Sequence, residues 1–300
     1  MKDDLMSRAA REFGISIDDL AGADDGRSGA GVHLARTRDG LASYVKLTPA
    51  RLGSRMLDCA RRELSFYRRL ADQVTVSTPS FLGALDTDAG VALLLAAAGK
   101  QVNVQKWSGQ AWAALGRDLA GLHAFPVPGQ DRPGQDSLVK VLSEPVSDEV
   151  TEFWGAVLPE LPELLATRDA MCAELAAQPA AFIHGDCHTG NIVHGPDGLV
   201  FCDWQSAGPG RPTADLAHLS VRATPAGVTI PREMITAYLD GSGGDAADLE
   251  KALVPAELAV FVFLWPPYAA YNNQIEIERV HRRTRLLARK WLGMTSSSRA

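Results

Sequence analysis

The side chains best able to do chemistry are crowded into one segment, AFIHGDCHTGNIVHGPDGLVFCDW, residues 181–204. It holds His184, His188 and His194, Cys187 and Cys202, three aspartates and Asn191. Such a set suits a soft-ligand zinc site, a thiol nucleophile, or an oxygen-rich site for a hard cation beside a catalytic carboxylate. Ile192–His194 and Leu199–Cys202 are β-compatible runs around Gly195-Pro196-Asp197-Gly198, a strong hairpin turn. With Asp197 as its centre, Asn191 and Asp203 lie six positions to either side and oppose one another, at a Cβ separation of ~5 Å. An amide oxygen and a carboxylate oxygen suit magnesium, whereas zinc prefers nitrogen and sulfur. A zinc site built from His184, Cys187, His188 and His194 has no CxxC pair and leaves Asp186 and Asn191 without roles.

His184-Gly185-Asp186 precedes Asn191 with the spacing H-x-D-x-x-x-x-N. This matches the catalytic loop of phosphoryl-transfer enzymes, where the aspartate accepts the proton of the substrate hydroxyl and the asparagine holds magnesium. A Cys187 nucleophile would need a lowered thiol pKa, which a metal-bound phosphate beside it opposes. HGDCHTGN followed by CDWQSAG resembles the aminoglycoside phosphotransferase and choline-kinase-like families, small-molecule kinases with a protein-kinase-like fold. The similarity is strongest over 181–219 and reaches more loosely from about residue 26 to the C-terminal helices. It implies that Asp186 is the catalytic aspartate, that Asn191 and Asp203 are magnesium ligands, and that His184 supports the loop. Asp215, in ADLAHL, is the implied brace of that loop, and His188 is either a loop residue or an acceptor contact.

A kinase also needs a strand lysine for the α- and β-phosphates and an acid on the next helix to orient it. Lys46 in SYVKLTP and Glu63 in CARRELSFYRRL occupy those places. Upstream, Gly26-Arg27-Ser28-Gly29-Ala30-Gly31 is a glycine-rich approach at which backbone amides near Ser28 and Gly29 can reach phosphate oxygens. It departs from G-x-G-x-x-G. The adenine is expected against Leu95–Ala98, hydrogen-bonded by the backbone of Ala96 and Ala98.

The elements that must position these residues follow from periodicity. Val32–Thr37 and Leu41–Leu47 read as a hairpin about Arg38-Asp39-Gly40, and Phe81–Leu85 with Val91–Leu95 as a second strand pair. Met56, Leu57, Ala60, Leu64 and Tyr67 recur at helical spacing across 56–70. After Gly99, Trp112, Leu115, Leu119 and Leu122 mark a helix, further helices are expected over Asp148–Leu158 and Pro162–Ala177, and more from Asp215 to Trp291. The expected fold is α+β and bilobal. A nucleotide-binding lobe over 1–98 carries an antiparallel sheet and one key helix, and a larger, mainly helical catalytic and acceptor-binding lobe spans 99–300.

The 300-residue chain has 46% hydrophobic and 22% charged residues and a net charge of −6. That balance argues against nucleic-acid or membrane partners, which need clustered basic residues; RVHRRTR at 279–285 is the one basic run. Four unpaired cysteines and no long apolar segment fit a cytoplasmic protein, monomeric or homodimeric.

For the acceptor, Pro255–Arg279 offers Phe261, Phe263, Trp265, Tyr268 and Tyr271, with Asn272 and Asn273, against only Glu257, Glu276 and Glu278. A polycationic aminoglycoside would call for more carboxylates. The expected contacts are therefore Trp265, Tyr268, Tyr271 and Asn272, and the expected acceptor is a less cationic hydroxyl compound such as a nucleoside, peptide or macrolide antibiotic. Kinases of choline, homoserine or sugar type are the metabolic alternative, and a nucleotide-binding pseudokinase module is the non-enzymatic one. Mg2+ and ATP, or GTP, are the expected cofactors.

Overall fold

The computed structural model describes residues 5–23, 30–127 and 137–297. Two compact units emerge, Met1–Gln101 with Val193–Ala207, and Val102–Ile192 with Gly208–Ala300. The division differs from a single cut at residue 98, because a returning hairpin segment groups with the first unit.

In the first unit, α1 (Leu5–Phe13) is followed by strands β1 (Ser16–Ala23), β2 (Gly31–Arg36) and β3 (Ala42–Pro49), helix α2 (Ser54–Arg69), and strands β4 (Phe81–Thr87) and β5 (Gly90–Ala96). The five strands form one sheet in the order β1-β2-β3-β5-β4, with every neighbouring pair antiparallel. Period-two alternation sorts the side chains between its faces. Ala35, Val45, Leu47, Ala92 and Leu94 pack with Leu5 and Ala9 of α1, whereas Val91 and Leu93 pack with Ala60 and Leu64 of α2. Lys46, between Val45 and Leu47 and paired with Leu93, therefore faces α2. Helix α1 and strand β1 had no sequence expectation: SIDDLAGA lacks apolar alternation, as an edge strand can.

The second unit begins with α3 (Gly109–Ala124), capped by the Ser108 hydroxyl, which accepts from the Ala111 amide at 3.2 Å. Its buried face includes Trp112, Leu115, Leu119 and Leu122. Short helices α4 (Ser137–Ser143), α5 (Asp148–Trp154), α6 (Leu161–Ala166) and α7 (Arg168–Ala176) follow. The helix expected over 162–177 is thus two helices, broken at Thr167. There the hydroxyl donates to the Leu164 carbonyl and accepts from the Trp291 indole, a side-chain alternative to continuing the helical ladder.

Strand β6 (Ala181–Ile183) pairs with β9 (Gly208–Gly210) in this unit, and the chain between them forms the hairpin strands β7 (Ile192–His194) and β8 (Leu199–Phe201), which from Val193 group with the first unit. Helices α8 (Pro212–Ala223), α9 (Arg232–Ser242), α10 (Ala246–Ala259) and α11 (Gln274–Ser297) complete the unit. Pro255 lies within α10, and the chain widens into a π-helical turn over Val260–Leu264 before a 3-10 segment, Pro266–Tyr271. Trp154, Phe261 and Trp265 are among the largest side chains of the core.

Candidate active site

Lys46 and Glu63 meet because both project into the space between β3 and α2. The Lys46 ammonium donates to Glu63 Oε2 at 2.6 Å and to Asp203 Oδ1 at 2.7 Å. Burial acts to lower the Lys46 pKa, but the two carboxylates outweigh it and the pKa is raised, so the group is a held cation. Burial first, and the Asp203 charge second, push the Glu63 carboxyl upward against the pull of Lys46. Glu63 is 1% exposed and Asp203 31%, so Asp203 is the carboxylate of the pair that an outside ligand can reach.

Asp203 reaches Lys46 through the hairpin. On one side the backbones of Lys100 and His194 exchange hydrogen bonds of 3.0 and 2.9 Å; on the other, the Phe201 amide donates to the Ser77 carbonyl at 2.8 Å. Just beyond β8, the Trp204 ring stacks on Phe66 of α2 at 4.1 Å and 8°, and Arg62 Nε donates to the Gln205 carbonyl. Between these anchors Asp203 adopts a left-handed conformation (φ 65°), alone among described non-glycine residues. Backbone strain of this kind persists where the surroundings impose it and clusters at functional positions.

The turn corrects one expectation. The Gly195 amide donates to the Gly198 carbonyl at 2.8 Å, which centres the hairpin between Pro196 and Asp197 rather than on Asp197. Neither Asn191 nor Asp203 is a strand residue: Asn191 ends the single turn Thr189–Asn191, and Asp203 follows β8.

In the second unit, Asp215 organises the loop after β6. Its Oδ2 accepts from the His184 amide and its Oδ1 from the Gly185 amide, each at 2.8 Å. Gly185 has φ +79°, which lets consecutive amides converge on one carboxylate. His123 Nε2 lies 3.1 Å from Asp215 Oδ2, and its Nδ1 lies 3.0 Å from the Tyr238 hydroxyl. A donating Nε2–H and an accepting Nδ1 satisfy both partners. Burial would raise the Asp215 pKa, but the His123 hydrogen bond and charge, with His184, hold it below the ordinary value. A depressed folded pKa means that the stability Asp215 contributes is complete above the unfolded carboxylate pKa near ~4 and is lost as pH falls through the lower folded value. Asp215→Ala leaves the buried His184 amide, the half-buried Gly185 amide and a buried histidine without their acceptor, and is expected to destabilise the protein by about 3–5 kcal/mol. Thermal unfolding measures this, and a wild-type midpoint would remove Asp215 from its bracing role.

The loop then presents Asp186, whose amide donates to His184 Nδ1 at 3.3 Å. Burial raises the Asp186 pKa, but the charge His188 carries when protonated in acid, then those of His218, His184 and Arg222, lower it further, so the carboxyl is ionised at neutral pH. Asn191 Nδ2 donates to the Asp186 carbonyl at 3.0 Å and to its carboxylate at 3.3 Å. His188 is pulled down to about 4, chiefly by burial, and is neutral. Its Nδ1 accepts from the Gly190 amide at 3.0 Å, which leaves the hydrogen on Nε2, 3.8 Å from Asp186 Oδ1. His188 is thus a neighbour of Asp186 on its own loop.

The other expected residues fall unevenly. Ser28 and Gly29 lie outside the described residues. Ala96 gives its amide to the Ser80 carbonyl, so only its carbonyl is available to a nucleotide base; Ala98 follows the sheet. Trp265 is 2% exposed and packs against Phe153, so it backs the core and cannot be an acceptor contact. Tyr268 is half-buried beneath the Arg222 guanidinium at 4.7 Å, Tyr271 is 63% exposed, and Asn272 Nδ2 donates to the Tyr268 carbonyl. Sequence reasoning missed His218 and Arg222. Asp215, His218 and Arg222 stand at i, i+3 and i+7 of α8, a helical stripe of charge and imidazole visible in the sequence.

The two cysteines of the 181–204 segment are not poised as nucleophiles. Cys187 is fully buried and its thiol is raised well above the ordinary value by burial, then by Asp215 and Asp186. Cys202 is pushed up to about 12 by burial, then by Asp203 and Glu63. Among the described residues no three His, Cys, Asp or Glu side chains converge as a metal site. No helix among them is long and apolar enough to cross a membrane.

Comparison with known proteins defines the class. The phosphotransferase enzyme family matches residues 22–252, and the chain belongs to this family. No protein of curated function matches it. Solved structures share its fold at low identity. An amicoumacin kinase in complex with AMP-PNP, Ca2+ and Ami is 15% identical, with a TM-score of 0.62 over 95% of this chain and 92% of that one. A macrolide 2'-phosphotransferase from Brachybacterium faecium is 22% identical, with a TM-score of 0.61 over 92% and 96%. An aminoglycoside phosphotransferase, APH(2")-IIIa, in complex with GDP and kanamycin is 14% identical, with a TM-score of 0.65 over 96% and 98%. The chain is therefore a small-molecule phosphotransferase with an alcohol group as acceptor.

Proposed function

We propose that this phosphotransferase moves the γ-phosphoryl group of ATP or GTP to a hydroxyl of a small antibiotic that carries little positive charge, of nucleoside, peptide or macrolide type. The observation that carries the reading is Lys46 held between Glu63 and Asp203. Such a lysine is fixed in direction by one carboxylate and stands beside a second that can serve a cation, the arrangement a triphosphate requires.

A divalent cation fits the residues present. Asn191 spends its amide hydrogens on Asp186, which leaves its Oδ1 as an oxygen donor, and Asp203 uses Oδ1 for Lys46 and keeps a second oxygen. Each is a hard oxygen of the kind that magnesium takes. When bound, the ion supplies charge neutralisation on the phosphates. Lys46 positions the α- and β-phosphates, with Glu63 fixing its direction. Asp186 orients the acceptor hydroxyl and takes its proton. Because its pKa is lowered, Asp186 acts mainly by orientation and accepts the proton late, as suits a loose phosphoryl transition state.

The acceptor preference rests on charge. Of the three acids in the 255–279 region, Glu257 is buried and ion-paired with Arg283 at 2.8 Å, and Glu276 is engaged in a reciprocal cap with Asn273. Arg222, whose charge acts on Asp186, adds a cation near the reacting group. A polyamine there would leave ammonium groups desolvated and unpaired.

Consumption of nucleotide, followed as γ-phosphate leaving ATP with and without divalent cation and an alcohol acceptor, tests the enzymatic reading. Turnover that depends on both is expected. Nucleotide binding with no turnover under any acceptor would instead define a binding module.

A further inference from the structure

The basic run at 279–285 enters the reading above only through Arg283, the partner of Glu257. It folds into α11, where Arg279, Arg282 and Arg283 stand at i, i+3 and i+4 and line one side of a cavity of about 180 Å³. Ser220, at the end of α8, and Thr229 beyond it bring hydroxyl-bearing side chains to the lining, while Thr224 spends its hydroxyl hydrogen on the Ser220 carbonyl at 2.9 Å.

The pocket carries surplus positive charge. Arg279 Nη1 donates to the Pro225 carbonyl at 2.7 Å, a neutral partner that fixes the guanidinium without cancelling its charge. Gly227 has φ +78°, and a Cβ there would lie 3.1 Å from Arg279 Cζ, so glycine is what lets the chain lie against the guanidinium. Arg283 is paired with buried Glu257 at 2.8 Å, and Arg282 is exposed. Glu278, on the same helix, lies within 3.4 Å of the Gln274 amide and is not among the lining residues. Three guanidinium groups against one carboxylate leave two positive charges at the cavity. Planar N–H forks together with hydroxyls recognise oxyanions, phosphate above all.

The position separates this pocket from the catalytic loop. At about 100° per residue, Ser220 and Thr224 lie on roughly the opposite face of α8 from Asp215, His218 and Arg222. We propose that the cavity between α11 and the end of α8 is a binding site for the phosphate group of a small phosphomonoester, distinct from the site of phosphoryl transfer and independent of the acceptor assignment.

Calorimetric titration of the full chain, saturated with ADP and magnesium, with inorganic phosphate and separately with phenyl phosphate and acetate tests this. Saturable phosphate and phenyl phosphate binding, with weaker acetate binding, is expected. Arg282→Glu should weaken phosphate by about tenfold or more, the loss of one charge-assisted contact, with unchanged thermal stability and nucleotide turnover in phosphate-free buffer. Arg282→Lys should restore part of the affinity. Phosphate binding that is absent, no tighter than acetate binding, or equal in Arg282→Glu and wild type would overturn the proposal.

Discussion

Asp186→Ala is expected to lower turnover by roughly 10²–10⁴-fold while nucleotide affinity stays close to that of the parent. The carboxylate stands on the loop braced by Asp215, and neither Lys46 nor Glu63 depends on it. Asp186→Asn separates charge from shape. It keeps an oxygen that can orient a hydroxyl, so it should retain more activity than the alanine if orientation dominates. The lowered pKa places the acid limb due to Asp186 below the ordinary carboxylate value of ~4, so activity lost nearer pH 6 would belong to another group. Steady-state kinetics with a nucleotide-binding measurement on the same preparations decide the matter. Near-parental turnover in Asp186→Ala would remove it from the reaction.

Asp203→Asn is expected to abolish the part of nucleotide affinity that depends on magnesium. Asparagine tolerates the left-handed backbone that Asp203 adopts, so this substitution tests the charge without adding strain. Asp203 shares Lys46 with Glu63, and its removal leaves that lysine one carboxylate short. Weak residual binding through Lys46 should persist with and without metal. Nucleotide titrations across magnesium concentrations read the effect directly; a variant in which magnesium still tightens the nucleotide as in the parent would refute the ligand assignment.

The parts of the site written in short-range patterns were legible in the sequence. Lys46 is placed by alternation in β3 and Glu63 by the apolar stripe of α2, so their meeting follows from one strand face and one helix face. The turn at 195–198 announced its hairpin, but its centre depends on which amide closes the turn, and composition does not decide that. Long-range partnerships were hidden. His123 reaches Asp215 across 92 residues, and the Trp291 indole meets Thr167 across 124. Aromatic content between 255 and 279 misled in one place, since Trp265 fills the core while Tyr271 stands in solvent, a distinction set by the widened turn after α10. Polar β1 gave no apolar period to read.

The most direct test of the central claim is the mass of the acceptor. One mixture of macrolide, nucleoside and peptide antibiotics, a kanamycin-type polyamine and a simple metabolic alcohol is incubated with enzyme, magnesium and γ-labelled ATP or GTP, then resolved by mass spectrometry. The account predicts one labelled phosphoryl group on a hydroxyl of a weakly charged antibiotic, and none in an Asp186→Ala control. Label found preferentially on the polyamine, or on no hydroxyl while nucleotide is bound, would contradict it.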